Sequence, residues 1–140
     1  MRVADLIKKK GSSVITLPST ATVAELLETL DDNRIGAVVV VDGDKVVGIA
    51  SERDVVHHLR GGSGAEGQLS QMMTSDIRTC TPDDELEALA RTMTERRIRH
   101  LPVVVDGRLA GIVSIGDVVK QRLDELQDER DQLVDYVQGS

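Results

Sequence analysis

Apolar and polar positions follow one rhythm along the first third of the chain, and the rhythm then starts again. "VITL" (14–17) is a short β-branched stretch that runs into Pro18 and a polar turn. Val23, Leu26, Leu27 and Leu30 follow at helical spacing, which predicts an amphipathic helix. "AVVVV" (37–41) has the continuous apolar character of a buried strand, "DGD" (42–44) that of a hairpin turn, and "KVVGI" (45–49) that of its return strand. A second helix is expected to begin at Ser51. The same order recurs as "IRTC" (77–80), a helix carrying Leu86, Leu89, Ala90 and Met93, "LPVVV" (101–105), a "DG" turn, "RLAGI" (108–112) and a helix from Ser114. The pattern predicts two βαββα units, a mixed α/β (α+β) fold.

The recurrence is a repeat in the letters as well. "GIASERDVV" (48–56) and "GIVSIGDVV" (111–119) agree at six of nine positions, and residues 35–50 align on 98–113 without a gap at a constant offset of 63. Thr16 and Thr79 hold the same offset, whereas Pro18 and Pro82 are slipped by one residue. A repeat of this length signals a duplicated unit that cannot bury its apolar face alone. We divide the chain into a first unit (1–60), a Gly-rich linker (61–68), a second unit (69–120) and a C-terminal helical extension (121–140). No helix breaker stands between Val118 and Gln138, and Val119, Leu123, Leu126, Leu133 and Val137 form a stripe interrupted by Arg130. A stripe of this spacing suits a homodimer contact.

Composition narrows the chemistry. The chain of 140 residues has no Trp or Phe and one tyrosine, Tyr136, so its core is aliphatic and it has no aromatic platforms for stacking bases. A net charge of −7 disfavours nucleic acid and anionic membranes as partners. Cys80 is the single cysteine, which leaves no internal disulfide and no cysteine-based zinc site. Apolar runs are far short of a bilayer span, and the N-terminus lacks the apolar segment of a signal peptide, so a cytoplasmic setting is expected. Neighbouring His57 and His58 point about 100° apart on a helix and make a poor metal pair. Cys80 has no partnered histidine. No set of nucleophile, base and orienting group appears, so no enzymatic activity is expected.

The doubled Ser-x-x-Asp has two compatible readings. Ser51 and Asp54, like Ser114 and Asp117, fit a capping box at a helix start. The same helix end, with its free N–H groups, suits an anion, and an adjacent carboxylate can accept hydrogen bonds from a sugar diol.

The doubled G-I-x-S-x-x-D-V-V, "MMT" (72–74), "RIRHLPVV" (97–104) and the period of 63 together resemble a tandem cystathionine β-synthase (CBS) domain pair, often called a Bateman module. The resemblance covers the chain to about residue 120. It implies two βαββα units packed sheet to sheet around a pseudo-two-fold axis. It also implies two clefts for adenosine-containing ligands (AMP, ADP, ATP, NAD(H) or S-adenosylmethionine), with no further cofactor required. Position by position, Asp54 and Asp117 match the family's ribose-binding aspartates and Ser51 and Ser114 its phosphate-side hydroxyls. Thr16 and Thr79 match the first-strand position lining the cleft. Gly36, Ala37 and Val38, and in the second half Arg99, His100 and Leu101 with Pro102, match the start of the second strand, whose backbone reads adenine.

The resemblance further suggests that Arg99 and His100 face Ser51 and Asp54, while Gly36 and Ala37 face Ser114 and Asp117. One cleft would then hold Arg53, Arg99 and His100, groups able to meet phosphate. The other, with Gly116, Gly36 and Ala37, would lack cations. A protonated His100 would favour phosphate toward pH 6. The expected function is a free-standing regulatory module that senses an adenosine-type ligand and signals to a separate effector protein. The alternatives are a structural or adaptor homodimer with empty clefts and a catalytic or redox protein using Cys80.

Overall fold

The structure, a computed structural model, describes residues 1–139. Its first element is a helix absent from the reading above: α1 (Val3–Lys10) precedes β1 (Thr16–Leu17). The expected units then appear in order. The first comprises α2 (Val23–Asn33), β2 (Ala37–Asp42), β3 (Lys45–Ser51) and α3 (Glu52–Arg60). After the linker and a single turn, α4 (Leu69–Met72), come α5 (Leu86–Arg96), β4 (His100–Val105), β5 (Arg108–Ser114) and α6 (Ile115–Gln138). The strands join in the order β1-β2-β3-β5-β4, and the two hairpins meet through a single antiparallel rung, Lys45 opposite Arg108.

Backbone detail repeats at the period seen in the letters. The β2–β3 ladder shifts register after Val40 and the β4–β5 ladder after Val103, 63 residues on. Each amphipathic helix ends in a left-handed arginine, Arg34 (φ 53°) and Arg97 (φ 55°), again 63 apart. The first strands are shorter than predicted. β1 keeps only Thr16 and Leu17, parallel to Val39 and Val40, and its counterpart shrinks to one bridge, Cys80 to Val103. On the amphipathic helices, Val23, Leu26 and Leu30 and then Leu86, Leu89 and Met93 are buried, while Leu27 is exposed.

The two halves exchange their leading helices. Val3 and Leu6 of α1 pack with Cys80, Leu86, Leu89, Met93, Leu101, Val103 and Val113, the core of the second half. Leu69 of α4, with Met72 and Met73, packs with Val23, Leu26, Val38, Val40 and Val55, the core of the first. Backbone bonds make the exchange reciprocal: Val3 N–H donates to Asp84 O and Leu86 N–H to Met1 O, while Leu69 N–H donates to Ala21 O and Val23 N–H to Gly67 O. The linker is therefore pinned, because its carbonyls cap the start of α2. Burial of a side chain such as Val3 or Leu6 stabilises by roughly 1.5–3 kcal/mol.

α6 starts on the second half, where Gln121 is buried, but Leu126, Leu133, Tyr136 and Val137 are exposed. Among the described residues no helix is long and apolar enough to cross a membrane.

The exchange depends on close approach at two glycines. A Cβ at Gly48 would lie 2.8 Å from the Thr74 carbonyl, which is fixed by paired hydrogen bonds between Thr74 and Ile49. A Cβ at Gly111 would meet the mobile end of Ile7 at 2.7 Å. Gly48→Ala is expected to cost about 1–3 kcal/mol and Gly111→Ala less, since Ile7 can turn away. Urea unfolding of both variants checks the order, and equal losses would contradict it.

Candidate functional site

Both strand-to-helix junctions are capping boxes. At the first, Asp54 N–H donates to Ser51 Oγ (3.3 Å) and Ser51 N–H to Asp54 Oδ2 (2.9 Å). At the second, the Asp117 N–H to Ser114 Oγ distance is 3.1 Å and that from Ser114 N–H to Asp117 Oδ2 is 2.9 Å. The strand leads are tied to the same helix starts, because Glu52 N–H donates to Gly36 O and Ile115 N–H to Arg99 O.

What meets each aspartate differs. Thr74, just after α4, donates its hydroxyl to Asp54 Oδ1 (3.1 Å). Lys10, the last residue of α1, places its ammonium 2.6 Å from Asp117 Oδ2 and 2.9 Å from the Ile112 carbonyl. The expectation of a second cleft without cations is therefore corrected. Desolvation works against the Asp117 carboxylate, but hydrogen bonds from Lys10 and Ser114 and the ammonium charge outweigh it and hold its pKa below the usual value.

A cavity of about 730 Å³ opens beside the first junction. Ser51, Arg53 and Asp54 line it from the start of α3 and His57 from farther along that helix, and Thr74, Asp76, Ile77 and Arg78 from the segment after α4. Arg96, Arg97, Ile98, Arg99 and His100 come from the end of α5 and the lead into β4. Thus Arg99 and His100 share one cavity with Ser51, Arg53 and Asp54. Gly36 lines this same cavity, not the region of Asp117 where the sequence reading put it. Ala37, Val38, Leu101 and Pro102 are buried within β2 and β4. Thr16 and Thr79 are exposed and outside the cavity lining, with Ile77 and Arg78 taking the position expected of Thr79. Gly116 is exposed in the first turn of α6.

His100 sits between the two junctions: it lines the cavity while its cross-strand partner is Ser114. Burial pushes its pKa below the ordinary histidine value, opposed by the Asp117 charge and reinforced by Arg99 and Lys10. The imidazole therefore stays neutral to lower pH than a free one, which works against a protonated His100 near pH 6. Cys80 lies in the core of the second half, and desolvation, aided by Asp84, pushes its thiol up to about 12, so it is no nucleophile. His57 lines the cavity and His58 meets the Gly64 carbonyl. Among the described residues no cluster of three potential metal ligands forms.

Arg78, Arg97, Thr74 and Lys10 escaped assignment to the site. The basic run 96–99 was visible, but its direction depends on the left-handed turn at Arg97. Thr74 and Lys10 reach the aspartates only through the helix exchange.

Comparison with known proteins bears on this arrangement. The CBS domain profile matches residues 3–61 and 69–124. A mitochondrial CBS domain-containing protein of Arabidopsis thaliana is 32% identical over 98% of this chain and 72% of its own length. The chain spans only 39% of a longer, uncharacterized relative from Methanocaldococcus jannaschii, at 37% identity. Among solved structures, a CBS-domain protein of Agrobacterium tumefaciens superposes with a TM-score of 0.82 at 42% identity, covering 87% of this chain and 99% of that one. A CBS domain protein of Pyrobaculum aerophilum complexed with AMP has a TM-score of 0.75 at 29% identity, with 84% and 89% covered. A CBS domain pair in complex with methylthioadenosine and S-adenosyl-L-methionine has a TM-score of 0.80 at 25% identity, with 89% and 98% covered.

The Lys10–Asp117 contact generates a pH prediction. Because the carboxyl has a lower pKa folded than unfolded, its contribution is present above the unfolded value of 3.8 and lost as pH falls through the folded one. Lys10→Met is expected to cost about 1–3 kcal/mol near neutrality and to flatten stability below pH 3.8. Thermal melts across that range measure both, and identical slopes for the two proteins would show that the pair contributes nothing.

Proposed function

Since the chain belongs to the CBS domain family, as a tandem pair of units, we propose that it is a regulatory module binding an adenosine-containing ligand in the cavity beside Asp54. The observation that carries this reading is the meeting, in one cavity, of Ser51 and Asp54 with the lead into β4 at Arg99 and His100. Each part suits a part of the ligand. Ile49, Ile77 and Ile98 supply aliphatic surface for a purine in a chain that lacks Trp and Phe. Asp54 can accept hydrogen bonds from the ribose diol once Thr74 releases Oδ1, and the α3 N-terminus with Ser51 favours an anionic group. The AMP complex of the Pyrobaculum protein supports the same ligand class. A buried, unreactive thiol accords with a cytoplasmic setting.

We place self-association on α6. Leu123, Leu126, Leu133 and Val137 are 61%, 44%, 64% and 69% exposed, a stripe that a second copy of the helix would cover.

Two outcomes are expected. Asp54→Ala should weaken AMP binding by about 1–3 kcal/mol in calorimetry while the protein stays folded. Unchanged affinity would leave Asp54 as a cap alone. Leu126→Glu combined with Leu133→Glu should convert dimer to monomer in sedimentation with little change in melting temperature, because both positions are exposed. A dimer that persists would place the interface on the paired units.

A further inference from the structure

The chain is acidic overall, yet five arginines converge on one cavity against three carboxylates, Glu52, Asp54 and Asp76. Among the described residues none of Arg53, Arg78, Arg96, Arg97 and Arg99 forms an ion pair or a side-chain hydrogen bond, whereas three of the seven arginines elsewhere (Arg2, Arg108 and Arg122) find carboxylates. Fold stability accounts for only part of this. Arg96 and Arg97 close α5, where cations complement the helix dipole. Arg53 stands in the first turn of α3, where a cation is disfavoured. Arg78 and Arg99 lie outside any helix. A wall of guanidinium groups without carboxylate partners, with forks suited to phosphate oxygens, fits an anion of several charges.

We propose that this cavity takes an adenine nucleotide with a chain of two or more phosphates, held by Arg53, Arg78, Arg97 and Arg99, and that it rejects the sulfonium of S-adenosylmethionine. The proposal rests on the nucleotide reading above and specifies its ligand class. Asp54 binds the sugar end, and the phosphate chain runs from the α3 N-terminus toward the lead into β4. A monophosphate leaves most of the guanidinium groups without a partner. A sulfonium beside them is repelled, so the cavity selects on charge what the adenosine contacts cannot distinguish.

Calorimetry without divalent metal, at low and high salt, tests this with adenosine, AMP, ADP, ATP, S-adenosylmethionine and inorganic tripolyphosphate. Affinity is expected to rise at least about tenfold from AMP to ATP and to fall with salt more steeply for ADP and ATP than for AMP, with adenosine unaffected. In Arg78→Ala combined with Arg99→Ala, both exposed positions, ATP should lose at least about tenfold while adenosine is unaffected. Equal affinities for AMP and ATP, equal losses for ATP and adenosine, or tight binding of S-adenosylmethionine overturns the proposal while leaving the adenosine reading intact. Tripolyphosphate binding as tightly as ATP, with no detectable adenosine, keeps the polyanion wall and overturns the adenosine reading. Binding of none of the six overturns both.

Discussion

Neither half of this protein owns a complete core. Each leaves an apolar face between its amphipathic helix and its hairpin, and the leading helix of the other half covers it: Val3 and Leu6 on the second, Leu69 on the first. Both strand-to-helix junctions inherit their surroundings from this exchange. The segment leaving α4 crosses from the first half to the second, which brings Thr74 to Asp54 and makes residues 76–78 a side of the cavity. The end of α1 is delivered to Asp117 in the same way, and Lys10 arrives with it.

Duplication with divergence thus yields two unlike sites. The carboxylates and caps are the same, but one faces a neutral hydroxyl and an arginine-rich wall, the other an ammonium that already answers its charge. An anionic ligand at the first junction meets cations without partners. At the second, a ligand that uses Asp117 must share it with Lys10 or displace the lysine. His100 stands beside both, lining one site and lying across the ladder from Ser114 of the other.

Much of this was legible in the chain because hydrophobic periodicity reports local geometry. The helices around Leu26 and Leu89, the hairpins at the two Asp-Gly turns and the caps at Ser51 and Ser114 are all set by neighbours in sequence. The leading helices were not legible for a specific reason. Their shared contacts repeat at an offset of 66, Val3 with Leu69, whereas the rest of the chain repeats at 63. The letters fall out of register where the segments trade places. Their packing partners are also about 80 residues distant for α1, as in the bonds from Val3 to Asp84 and from Leu86 to Met1, beyond what any window of periodicity detects. The same distance hid Lys10. Gly36 went to the wrong junction because the reading across halves was carried over by analogy, whereas its carbonyl is bound locally to Glu52.

The trade of helices also constrains how the chain acquires its structure during synthesis. Residues 16–60 leave the ribosome before Leu69 exists, so the first hairpin and its helix must wait, half covered, for the segment that closes them. α1 is made first and buried last, since β5, which completes its platform, ends at Ser114. The apolar face of α1, Val3 and Leu6, therefore stays unsheltered until the second half has been made, and neither half can mature independently of the other. Long-range closure of this kind slows folding and lengthens the exposure of apolar surface. Asp5 in the first turn of α1 and Lys8, Lys9 and Lys10 in its last keep that waiting segment in solution.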